Sequence, residues 1–91
     1  MEGNTMKHWT VDIDIDEHVD SRYTRAEARL HTGPSDVLGV GVSSRNPRDP
    51  EVPEIGDELA VARALADLAE HLRTAANAGV ATNSTEASHG W

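Results

Sequence analysis

The sequence predicts an α+β fold in which a three-stranded antiparallel sheet carries one C-terminal helix packed on one face, in the order β-β-β-α. Three observations predict it. Apolar and polar residues alternate without error from Trp9 to Asp16, alternate again in two later runs, and give way to a single long stretch with apolar steps of three and four. Ninety-one residues suffice for one small domain, with no cysteine to cross-link it and no phenylalanine to fill it.

In the first run Trp9, Val11, Ile13 and Ile15 fall on one side, while Thr10, Asp12, Asp14 and Asp16 fall on the other, as in a half-buried strand. A polar stretch holding His18, Asp20 and Ser21 separates it from a second run. There Thr24, Ala26, Ala28 and Leu30 alternate with Arg25, Glu27 and Arg29, so a hairpin follows. Charge selects its register. With Ile15 opposite Ala26, Asp16 faces Arg25 and Asp12 faces Arg29, while Asp14 faces Glu27 with both arginines on its diagonals. Gly33, Pro34, Ser35 and Asp36 form a turn into the third strand, Val37 to Arg45, where Leu38, Val40 and Val42 alternate with Gly39, Gly41 and Ser43. The larger residues are expected on the covered face with Val11, Ile13, Ile15, Ala26 and Ala28. The opposite face of this strand is then nearly bare, open to close approach by another backbone or side chain.

Asn46 to Pro53 holds three prolines and reads as an extended linker. Ile55, Gly56 and Asp57 open the helical pattern, and Asp57 with Glu58 suits the positive end of a helix. Leu59, Ala62, Leu65, Ala66, Leu68, Ala69, Leu72 and Ala76 form its apolar stripe, and Gly79 is placed to stop it near Ala78. The organisation expected is a flexible N-terminus over 1–7, one domain over 8–79, and a tail over 80–91 that is mobile or touches a dimer partner.

Sixteen acidic against eight basic residues give a net charge of −8, which repels phosphate backbones and anionic membranes unless the positive charges are segregated. No apolar run approaches the roughly 18 residues of a membrane span, and Met1 to Lys7 lacks a secretion-type apolar stretch, so a cytoplasmic location is expected. Asp12, Asp14 and Asp16 begin like a calcium loop, but Glu17 stands where that loop needs glycine and Tyr23 where it needs glutamate. Gly39-Val40-Gly41 lacks the third glycine of a dinucleotide fingerprint. The five histidines are scattered without a zinc-binding pair, and no serine sits in a nucleophile elbow. No catalytic residue, metal or cofactor is therefore expected. The candidate interaction surface consists of Gly39, Gly41 and Ser43 with Arg25, Arg29 and Arg45. Asp12 and Asp16 beside Arg25 and Arg29 cancel much of the field a phosphate would feel, which argues against direct nucleic-acid binding. A small core with one bare sheet face favours a homodimer.

The stretches from His8 to His18, Thr24 to Leu30, Leu38 to Val42 and Val52 to Leu65, with Glu86-Ala87-Ser88-His89 in the tail, resemble a family of small actinobacterial proteins catalogued as the domain of unknown function DUF1876. The resemblance implies a fold like that of double-stranded-RNA-binding domains and a tendency to form dimers; some family members are associated with dormancy or low-oxygen stress, and the family's fold has been likened to ribosome hibernation-promoting factors. It supplies no catalytic residue. Two readings follow: a homodimeric stress protein acting by binding, at the ribosome, or an acidic module that engages a basic protein and never touches RNA.

Overall fold

The computed structural model describes residues 3–44 and 53–87, and the predicted order holds in it. Strand β1 (Thr10–His18), β2 (Tyr23–His31) and β3 (Asp36–Ser44) are followed by helix α1 (Pro53–Ala87). The sheet is an antiparallel meander in the order β1-β2-β3. Most of the proline-containing linker lies outside the described residues, as do Arg45 and residues 88–91.

The first hairpin has the register that charge selects: Ile15 pairs with Ala26, Asp16 with Arg25, Asp14 with Glu27 and Asp12 with Arg29. Arg22 closes the connecting turn at φ 59°, donating its backbone N–H to the Val19 carbonyl at 3.2 Å, and His18 stacks on Tyr23. The second turn depends on Gly33 at φ 103°, a left-handed conformation that costs glycine little, and Thr32 donates to the Ser35 carbonyl from both backbone and side chain.

β3 faces the other way from the expectation. Its register pairs Ala28 with Gly39, Ala26 with Gly41 and Thr24 with Ser43, which puts the glycines and the serine on the helix side of the sheet. Leu38, Val40 and Val42 project from the opposite face and remain exposed. The reason is close approach. A Cβ on Gly39 would lie 2.7 Å from the Leu68 Cα, and nearer still to the Ala64 carbonyl oxygen and the Leu68 nitrogen. One on Gly41 would meet the Ala60 carbonyl and the Ala64 nitrogen in the same way. Helix backbone rests directly on strand backbone here.

The helix is rotated accordingly. Ala60, Ala64 and Leu68 are its buried residues, packed with Ala26, Ala28 and Leu30, and Val37, Val61 and Leu72 are partly buried around them. From the expected stripe only Leu68 is buried and Leu72 half-buried; Leu59, Ala62, Leu65, Ala66, Ala69 and Ala76 face solvent. The helix also starts earlier and ends later than predicted. Pro53 opens it, where a missing N–H leaves no bond unmade, and it continues through Gly79 to Ala87. At 1.5 Å per residue its 35 residues span about 52 Å, against about 30 Å for each nine-residue strand, so its C-terminal part outruns the sheet.

Candidate functional site

The two outer edges of the sheet are treated differently. Along β3, Asp67 accepts the backbone N–H of Val40 at 2.9 Å, Arg63 donates to the Val42 carbonyl at 2.7 Å, and His71 Nδ1 lies 2.6 Å from the Leu38 carbonyl. A carbonyl only accepts, so His71 Nδ1 carries a proton. Residues 63, 67 and 71 recur every four positions and line the helix flank that overhangs β3. Three polar side chains thereby occupy backbone groups on which another strand would otherwise add.

Among the described residues nothing pairs with the outer edge of β1. The helix sits mainly over β2 and β3 and only brushes β1, so Trp9, just before that strand, and its Val11, Ile13 and Ile15 stay partly uncovered on the helix side. Ile13 is 39% exposed, although it lies on the same face as fully buried Ala28. The flank of α1 that looks toward β1 adds Val61, Leu65 and Leu72, with Leu65 41% exposed. β1 and this flank form a notch with an apolar floor and an apolar wall. Beyond the wall, Ile55, Leu59, Ala62, Ala66 and Ala69 make a second apolar stripe on the outer side of the helix, all exposed. A helix apolar on two sides is the pattern of one with neighbours on both.

The far face of the sheet is charged. Asp12, Asp14 and Asp16 stand beside Arg25, Glu27 and Arg29, and β3 contributes Leu38, Val40 and Val42. His31 ties the three strands together: Nε2 is 2.8 Å from Asp12 and Nδ1 is 3.0 Å from Asp36. Both carboxylates accept, which favours the doubly protonated imidazole and raises its pKa above the ordinary 6.5, the Asp12 hydrogen bond contributing most and partial desolvation opposing it. Arg29 lies 3.8 Å from Glu27 and 3.7 Å from Asp36. Asp16 has His18 at 3.0 Å.

The residues picked out from sequence separate into two groups. Gly39, Gly41 and Ser43 are buried beneath α1, so the expected bare surface is instead the seat of the chain's own helix. Arg25 and Arg29 lie on the opposite face, interleaved with acids, and Arg45 lies outside the described residues. Sequence reasoning missed the notch, whose signal was the second apolar set on the helix, and it missed the edge cap, whose signal was the spacing of Arg63, Asp67 and His71. An open depression lined by Lys7, His8, Trp9, Thr32, Gly33 and Pro34 adjoins the end of the notch and brings no pair of carboxylates together. Among the described residues no group of three or more histidine, aspartate or glutamate side chains is placed to hold a metal ion, and no helix is long and apolar enough to cross a membrane.

Comparison with known proteins agrees with this architecture. A family model described as Rv2632c-like matches residues 7–89. The chain is 54% identical over 69 residues to Uncharacterized protein Mb1767 of Mycobacterium bovis, covering 76% of this chain and 71% of that protein. It is 52% identical over 62 residues to Uncharacterized protein Rv2632c of Mycobacterium tuberculosis, covering 68% and 64% respectively. The crystal structure of Rv2632c superposes with a TM-score of 0.81 at 38% identity, over 90% of this chain and 95% of that one.

Proposed function

The chain belongs to the Rv2632c-like family, the name its match carries in place of the DUF1876 label, and from its uncovered surfaces we propose that it is a non-enzymatic binding protein that works as a homodimer. One observation carries the reading: each copy has a strand that its own helix barely touches and an apolar helix face with no sheet against it. Those two deficits are complementary. In a two-fold pairing the helix of one copy covers β1 of the other, and the same contact repeats in reverse, which closes the assembly at two. Trp9, Val11, Ile13, Ile15, Leu59 and Leu65 then leave water. Charge permits it, because Asp12, Asp14 and Asp16 point away from the contact and the two strongly acidic copies meet through apolar surface.

A protein partner suits the dimer better than RNA. The arginines of the far face are interleaved with five acids, Asp12, Asp14, Asp16, Glu27 and Asp36, so no phosphate-sized positive patch forms there. The dormancy and ribosome association implied by the family resemblance is compatible with this reading only through contact with a ribosomal or stress-related protein.

Light scattering tests the homodimer. The expected mass is twice that of the 9.8 kDa chain. Ile13→Asp, on the notch floor, is expected to yield folded monomers, whereas Val40→Asp, on the opposite face, is expected to leave the dimer intact. A wild-type chain that stays at the single-chain mass throughout the micromolar range contradicts the proposal.

A further inference from the structure

We infer that the outer edge of β1 is a docking site for an extended segment of another protein in which basic and apolar residues alternate. The inference rests on the binding-protein reading and names the partner's chemistry, but it does not require the dimer.

β1 presents nine residues of edge backbone, of which every second one turns its N–H and C=O outward. The opposite edge of the sheet has such groups engaged by Asp67, Arg63 and His71. A strand arriving at this sheet therefore finds one edge occupied and the other open. What it must carry follows from the two faces of β1. On the helix side, alternate residues of the incoming strand lie beside Val11, Ile13 and Ile15 and extend the apolar floor. On the far side they lie beside Asp12, Asp14 and Asp16, all exposed. Cations are needed there, and most of all at Asp14, whose cross-strand neighbour is Glu27 and which no cation reaches among the described residues.

β2 already embodies the complementary pattern on the inner edge of β1, with Arg25 and Arg29 opposite Asp16 and Asp12 and with Ala26 and Ala28 opposite Ile15 and Ile13. The docked segment is a second β2-like strand on the free side. A second copy of β1 is excluded from this edge by the same charges, because any antiparallel register that pairs most of the two strands and keeps their apolar residues on one face sets the aspartates of one against those of the other. The incoming strand lies in the plane of the sheet, so it leaves the layer above β1 to the second copy's helix.

The probe is an 11-residue peptide with the sequence of residues 22–32 carrying Glu27→Lys. A control peptide keeps Glu27 and carries Arg25→Glu and Arg29→Glu. Titrated into the isotope-labelled full chain, the basic peptide is expected to shift the amides of Val11 to Glu17 and slow their hydrogen exchange. Binding should weaken roughly tenfold or more in the full chain with Asp12→Asn, Asp14→Asn and Asp16→Asn together, and again between low and high salt. The single variant Asp14→Asn, which relieves the opposition to Glu27, keeps the test interpretable if the triple variant is poorly folded. Equal binding of the acidic control, shifts centred on β3, or displacement of the resident β2 would each overturn the inference. Scattering mass measured on the same samples separates it from the dimer: peptide binding by a single-chain species refutes the homodimer and leaves the docking edge standing.

Discussion

Gly39→Ala isolates the contact on which the fold turns. The added methyl would lie 2.7 Å from the Leu68 Cα, where ordinary contact begins at 3.4 Å, so the helix has to lift by at least 0.7 Å, and by more to clear the nearer Ala64 and Leu68 backbone atoms. No rotamer change relieves this, because the obstacles are main-chain atoms. A gap of 0.5–1 Å forfeits about a quarter to a half of the dispersion attraction across a contact. That loss spreads over the whole seam in which Ala60, Ala64 and Leu68 touch β2 and β3. Overpacking of a close-fitted core costs about 1–3 kcal/mol, and rigid obstacles put this case at the upper end, near 3 kcal/mol. The sign is diagnostic, since glycine in a strand interior normally costs about 0.5–1 kcal/mol relative to alanine. Urea unfolding followed by far-UV circular dichroism reads the difference directly. A Gly39→Ala chain as stable as the wild type, or more so, would mean that the helix does not rest on β3.

Three further outcomes are expected. Gly79 has nothing within 4 Å of a notional Cβ and lies inside the helix, so Gly79→Ala should stabilise the chain by about 1 kcal/mol in the same unfolding assay. Leu68→Ala removes a side chain that is 4% exposed and should cost about 2–5 kcal/mol, whereas Leu65→Ala should cost much less in a monomer held apart by Ile13→Asp. His31 has its pKa raised in the folded chain, so the stability it adds is fully present below pH 6.5 and declines as the pH rises through the higher folded-state value. An NMR titration should place the His31 midpoint above 6.5, with Asp12→Asn lowering it further than Asp36→Asn, and His31→Gln should remove the matching part of the pH dependence of unfolding.

Much of this architecture is legible in the residues themselves. The register of β1 on β2 is readable because aspartates and arginines alternate on one face of a hairpin, and a slip of two residues leaves one aspartate–arginine pair where the observed register has two. β3 is ambiguous on the same logic. Leu38, Val40 and Val42 have the bulk of core residues, and bulk ordinarily decides which face is covered. Here the opposite criterion decides, since a helix whose contact residues are Ala60 and Ala64 comes so close that only Gly39 and Gly41 fit beneath it. The bareness of those glycines does signal an approaching backbone, and the backbone is the chain's own helix. The rotation of α1 is hidden for a related reason. Two apolar stripes share the helix, and the one richer in leucine and alanine faces outward, so periodicity alone selects the wrong side. The second apolar set on the helix and the four-residue spacing of Arg63, Asp67 and His71 are visible in the sequence, but they read as a notch and an edge cap only once helix and sheet are brought together.

A mixed sample, half isotope-labelled and half unlabelled, tests the central claim most directly through nuclear Overhauser effects filtered to arise between copies. The expected result is cross-chain contacts from the methyls of Val11, Ile13 and Ile15 to those of Leu59, Ala62 and Leu65. Cross-chain contacts confined to Val40 and Val42, or none at all at millimolar chain concentration, would contradict it.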